Sequence, residues 1–94
     1  MSEILLEIFT KPGCQKCATA KKAIEEALQL MNEALMIERD ISQKEDYKRA
    51  LELGVREVPT LVINEKYQII GIPQTSDELV RFINHDIKEN NHKG

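Results

Sequence analysis

The stretch Ile4-Leu5-Leu6-Glu7-Ile8-Phe9-Thr10-Lys11-Pro12-Gly13-Cys14-Gln15-Lys16-Cys17 decides how this chain is read. Ile4 to Phe9 is an apolar run interrupted only by Glu7. It predicts a strand buried on both faces in the middle of a parallel or mixed sheet. Pro12-Gly13 punctuates the run. From Cys14 onward Cys17, Ala20, Ala23, Ile24, Ala27, Leu28 and Met31 recur at three or four. Lys16, Lys21, Lys22, Glu25, Glu26 and Gln29 take the other side, so a helix follows. The only two cysteines, Cys14 and Cys17, thus sit where a strand gives way to a helix. A helix N-terminus supplies the positive local field that a thiolate needs near neutral pH. A spacing of three puts the second sulfur one turn on, close enough to close a disulfide with the first.

Outward from this segment, Leu35 to Ile41 is a second strand. Ser42-Gln43-Lys44-Glu45 fits a capping box and predicts a helix from about Gln43 to Leu53, ended by Gly54 in a left-handed C-cap. Thr60 to Ile63 and Tyr67 to Ile70 are short β runs joined by Asn64-Glu65-Lys66, which reads as a hairpin. Thr75-Ser76-Asp77-Glu78 is a second capping box opening a last helix, whose apolar face is Leu79, Val80, Ile83 and Ile87. The order is β-α-β-α-β-β-α, with a right-handed first crossover between parallel strands and an antiparallel hairpin. This α/β pattern, three helices over a four-stranded mixed sheet, is that of the compact thioredoxin fold.

Ninety-four residues make one small domain, placed at 1–88, with a polar and flexible tail at 89–94. The hydrophobic share of 41% suffices for one two-layer core. A net charge of −3 with acids and bases interspersed argues against a nucleic-acid surface. The N-terminus has no basic region and no apolar run suited to a signal peptide, and no stretch approaches the ~18 apolar residues of a membrane span. The expectation is a soluble, cytoplasmic monomer with neither nucleic-acid nor membrane partners. In a reducing compartment two close cysteines make a poor staple, which shifts the pair toward redox or metal chemistry.

For redox chemistry, Cys14 is the attacking thiolate at the helix N-cap, exposed, with free helical amides facing its sulfur. Cys17, a turn inside and less exposed, is the resolving thiol. Lys11 and Lys16 add positive field. The competing readings are a metal half-site or an inert pair. Tetrahedral zinc takes four ligands, and His85 and His92, read as surface residues, lie far along the chain.

The segment Thr10-Lys11-Pro12-Gly13-Cys14-x-x-Cys17, continued by Ala18-Thr19-Ala20-Lys21-Lys22-Ala23, resembles the active-site loop of glutaredoxins. It is especially similar to the glutaredoxin-like redoxins that serve ribonucleotide reductase. Val55-Arg56-Glu57-Val58-Pro59-Thr60-Leu61 resembles the cis-proline segment of thioredoxins and glutaredoxins. The resemblance implies a thiol–disulfide oxidoreductase with a cis Val58–Pro59 bond and substrate contacts at Lys11, Val58, Pro59 and Thr60. It further suggests Ser76 and Asp77 as the place of a glutathione carboxylate, while Glu57 stands where these families carry a small residue or a threonine, and its charge is expected to discriminate against acidic substrates. The glutaredoxin Gly-Gly dipeptide is replaced by Gly71-Ile72-Pro73-Gln74-Thr75, and the buried acid that thioredoxins hold six positions before the first cysteine is Ile8 here. The expected partners are disulfide-bearing protein substrates. The expected electron donor is a thioredoxin reductase-type flavoprotein, with glutathione as the alternative reductant. No tightly bound cofactor is implied. The rival functions are a glutathione-assisted iron–sulfur cluster module and a redox-inert thioredoxin-fold adaptor.

Overall fold

A strand without polar alternation is stable only where both of its faces are covered. The computed structural model describes residues 4–73 and 75–88, and the side chains of 4–73 and 75–85. In it β1 (Ile4–Thr10) lies inside a four-stranded sheet of order β2-β1-β3-β4. The other strands are β2 (Ala34–Asp40), β3 (Thr60–Ile63) and β4 (Tyr67–Ile70). β1 runs parallel to β2 and antiparallel to β3, and β3 pairs antiparallel with β4. Three helices complete the thioredoxin fold: α1 (Gln15–Leu28), α2 (Lys44–Leu53) and α3 (Ser76–Phe82), which continues into a π-helical stretch at Ile83–Lys88. The tail expected at 89–94, His92 and the Ile87 side chain lie outside what is described.

The period-two geometry of β1 sorts its side chains onto two cores. Ile4, Leu6 and Ile8 pack with Ala20, Ile24 and Ala27 of α1, Leu61 and Ile63 of β3, and Leu79 and Ile83. Phe9, on the opposite face, packs with Ala50, Val55 and Val62 under α2. Glu7 shares that second face and is fully buried. Its Oε2 accepts from Arg39 Nε and Arg49 Nε at 2.9 Å each, and its Oε1 accepts from Arg49 Nη2 at 3.0 Å. Arg39 also reaches Asp46 at 3.2 Å, and Arg49 reaches Glu65. Burial alone would push the Glu7 carboxyl up, but the hydrogen bonds and charges of Arg49 and Arg39 outweigh it and hold the carboxyl below its ordinary range.

The element bounds differ from the sequence reading mainly at caps. Ser42 does not open α2: its backbone N–H and hydroxyl both donate to Asp40 Oδ1, at 2.9 and 2.7 Å. That local turn takes the serine away from the helix, and Gln43 becomes the N-cap without a side-chain bond. Gly54 does end α2 in the left-handed region, at φ 75°. Thr75 caps α3, its hydroxyl accepting from the Glu78 N–H at 3.0 Å. β2 begins and ends one residue earlier than expected, and α1 stops at Leu28 rather than running to Met31.

A carboxylate whose pKa is lower in the folded than in the unfolded chain adds stability above the unfolded value, and that stability is lost as pH falls through the folded one. Glu7→Gln is therefore expected to cost about 3 kcal/mol near neutral pH by urea denaturation. The gap to the wild type should narrow as the pH is lowered from about 5 to about 3. A pH-independent gap would mean that the Glu7 charge does not carry the effect.

Candidate functional site

β1 ends at Thr10, and a four-residue loop carries the chain to α1. Within it Gly13 adopts φ +74°, a left-handed conformation that side chains rarely take. Cys14 follows as the N-cap of α1, extended at φ −98° and ψ 109°. Its Sγ accepts the Cys17 N–H at 3.1 Å, so the sulfur occupies the place of a capping oxygen. Cys14 and Cys17 form a disulfide, with Cα atoms 5.2 Å apart. Cys17 is buried at 3% exposure, whereas Cys14 is half-buried rather than exposed, because its sulfur turns inward to the disulfide and the amide. The first turn of α1 contains no acid to oppose a thiolate.

The two cysteines open onto a cavity of about 210 Å³, lined also by Thr10, Lys11, Gly13, Ala18, Lys21 and Glu38. Lys21 Nζ lies 2.7 Å from Glu38 Oε1, and the Thr10 hydroxyl donates to Glu38 Oε2 at 3.1 Å. The hydrogen bond from Lys21, helped by Thr10, holds the Glu38 carboxyl below its ordinary range, and the same bond raises Lys21. Ile8, where the resemblance looks for an acid, is wholly buried in the apolar core, and its register partner in β2 is Glu38. Glu38 escaped the sequence reading. Its only local signal was a charge at alternate spacing in β2, and its partners come from α1 and β1.

Lys11 is the expected contact residue that lines the cysteine cavity; Lys16 is exposed on α1 and outside its lining. The Val58–Pro59 bond is cis and Pro59 is buried. Thr60 pairs with Phe9, which puts Pro59 at the end of the sheet where β1 delivers the cysteine loop. The Thr60 hydroxyl donates to the Glu57 carbonyl at 2.7 Å, and the Gly71 N–H donates to the Pro59 carbonyl at 2.8 Å. Glu57 and Val58 line a different cavity of about 240 Å³, beside Tyr47 and Leu51 of α2. Ser76 and Asp77 open α3 and do not line the cysteine cavity. His85 is exposed on the π-helical stretch. Among the described residues no group of three or more His, Cys, Asp or Glu is arranged to hold a metal ion. No helix among them is long and apolar enough to cross a membrane.

Residues 4–84 match a family model described as a thioredoxin domain. A thioredoxin from Methanocaldococcus jannaschii is 40% identical over 83 residues, covering 88% of this chain and 95% of that protein. A probable thioredoxin from Archaeoglobus fulgidus is 35% identical over 80 residues, covering 83% of this chain and 87% of its own. The solved structure of a mutant thioredoxin from Halobacterium salinarum superposes with a TM-score of 0.71 at 25% identity, over 88% of this chain and 74% of that one.

After reduction, the difference in burial should show as a difference in rate. Iodoacetamide at near-neutral pH is expected to modify Cys14 about tenfold or more faster than Cys17. Peptide mass spectrometry against time measures this. Slow modification of both at one rate would remove the distinction between attacking and resolving sulfur.

Proposed function

This chain belongs to the thioredoxin domain family, and from that premise we propose that it is a thiol–disulfide oxidoreductase that reduces disulfides in proteins through Cys14 and Cys17. The observation that carries the reading is the disulfide at the start of α1, with the Cys17 amide directed at the Cys14 sulfur. In the reduced protein the same amide and the helix N-terminus favour the Cys14 thiolate. That thiolate attacks a substrate disulfide, forming a mixed disulfide and expelling one substrate thiolate. Cys17 then attacks the Cys14 sulfur, expels the second substrate thiolate and closes the bond seen here. The electrons reside on the two sulfurs, so the reaction asks for no tightly bound cofactor.

Substrate recognition falls to Lys11 beside the sulfurs and to Val58, Pro59 and Thr60 at the same end of the sheet. A substrate chain laid against the Val58 backbone N–H and C=O would pair as an added strand. Glu57 and Lys16, both exposed, are charges outside the cysteine cavity that bias this choice electrostatically. The placement of Ser76 and Asp77 outside the cysteine cavity favours a thioredoxin reductase-type flavoprotein over glutathione as the electron donor. The likeness of the loop to redoxins that serve ribonucleotide reductase makes that enzyme's disulfide one of the substrates to try.

A coupled assay tests this reading. With NADPH and a thioredoxin reductase, the protein is expected to reduce insulin or oxidised ribonucleotide reductase. Glutathione with its own reductase should support a rate at least about tenfold lower. Cys14→Ser abolishes turnover, and Cys17→Ser traps a mixed disulfide on Cys14. A protein that stays inactive with every donor, or that emerges from anaerobic purification with cluster absorbance, would overturn the reading.

A further inference from the structure

The cysteine cavity holds an ion pair that the exchange mechanism above does not use. Lys21 stands four residues beyond Cys17, one helical turn along the same face of α1. Glu38 comes from β2 on the face that Ile8 shares. Each carboxylate oxygen has a partner, Lys21 Nζ at 2.7 Å on one and the Thr10 hydroxyl at 3.1 Å on the other. The anchorage fixes the pair while solvent still reaches it: the two side chains are 38% and 41% exposed.

We propose that Lys21 and Glu38 are opposed positioning residues that set how readily the two cysteines ionise, Lys21 favouring the thiolate and Glu38 restraining it. This rests on the redox reading. The other charged groups at the pair are few. Lys11 faces the cavity from the loop before α1. Glu25 acts on Lys21 from the next turn of α1, and Asp40 acts on Glu38 from β2. The β1 wall contributes Thr10, which carries no charge.

In the resolving step Cys17 gives its proton to solvent, and its thiolate attacks the Cys14 sulfur of the mixed disulfide. The Cys14–substrate bond breaks as the Cys14–Cys17 bond forms. The substrate sulfur leaves with the electron pair and takes up a proton, so the substrate disulfide gains two electrons and the dithiol loses two. Lys21 is already protonated, and Glu38 is held ionised by Lys21 and Thr10. Neither exchanges a proton in this step, and both act through their charge.

The test is a titration of the reduced protein by ultraviolet thiolate absorbance, with Lys21→Gln, Glu38→Gln and the double variant. Lys21→Gln is expected to raise the midpoint of the Cys14 thiolate by about half a pH unit to one, and Glu38→Gln to lower it by a similar amount. The double variant returns near the wild type, and all the shifts shrink at about 1 M salt. The pH profile of disulfide reduction should move with the midpoints. Unchanged midpoints, or single variants that move the same way, would overturn the proposal. The titration needs no substrate, so a protein that reduces nothing would refute the redox reading while the midpoints still judge the pair.

Discussion

The sheet is organised around a carboxylate that is out of reach of water. Glu7 sits in the central strand on the face covered by α2, whose apolar cluster of Phe9, Ala50, Val55 and Val62 is small. A lone carboxylate there would cost several kcal/mol in lost hydration. Two guanidiniums offset this, one from β2 and one from α2, and the Glu65 carboxylate beyond β3 receives the second of them. One side chain thereby ties together β1, β2, α2 and the β3–β4 turn. Such a cluster contributes little more than apolar residues of the same volume would, but it tolerates few alternative arrangements. Its effect is to set how α2 and the strands lie against β1, and hence where β1 delivers its last residues.

What β1 delivers is the cysteine loop. The alternation that puts Glu7 under α2 puts Ile8 under α1, so the helix bearing the sulfurs packs on a dry, apolar surface. α1 is anchored through Ala20, Ile24 and Ala27, and its N-terminal turn is left at the edge of the core with Cys17 inside and Cys14 half outside. The cap bond from the Cys17 amide to the Cys14 sulfur is a local consequence of that placement. The asymmetry between the two cysteines comes from where the helix starts relative to the sheet.

Much of this was legible in the sequence because its signals are local. The apolar run of β1 around Glu7, Gly54 after α2 and the Thr75–Glu78 cap each involve residues a few positions apart, and the structure matches them. The Ser42 cap failed for an equally local reason: Asp40, two residues back, takes both the Ser42 N–H and its hydroxyl into a turn of its own. The charged contacts were illegible for the opposite reason. Glu7 read as an interruption of its strand because its partners lie 32 and 42 positions away, and Thr10 meets Glu38 across 28. Nothing in a pattern of three or four residues announces such pairs.

The two acids flanking β1 mark the difference between holding a fold and tuning a site. Glu7 is fully buried and bound by two guanidiniums that do not deprotonate, so its charge is fixed under all but acidic conditions. Glu38 is partly wet and bound by one lysine. In that intermediate environment the effective dielectric is high enough that ionising a neighbouring sulfur costs little desolvation, yet low enough that one unit of charge is felt across the cavity. A buried acid against the sulfurs would couple to them more strongly and would need its own compensation. The lysine–glutamate pair, anchored by Thr10, supplies a weaker field of two opposed signs, so that each charge can be removed singly without leaving a buried ion uncompensated.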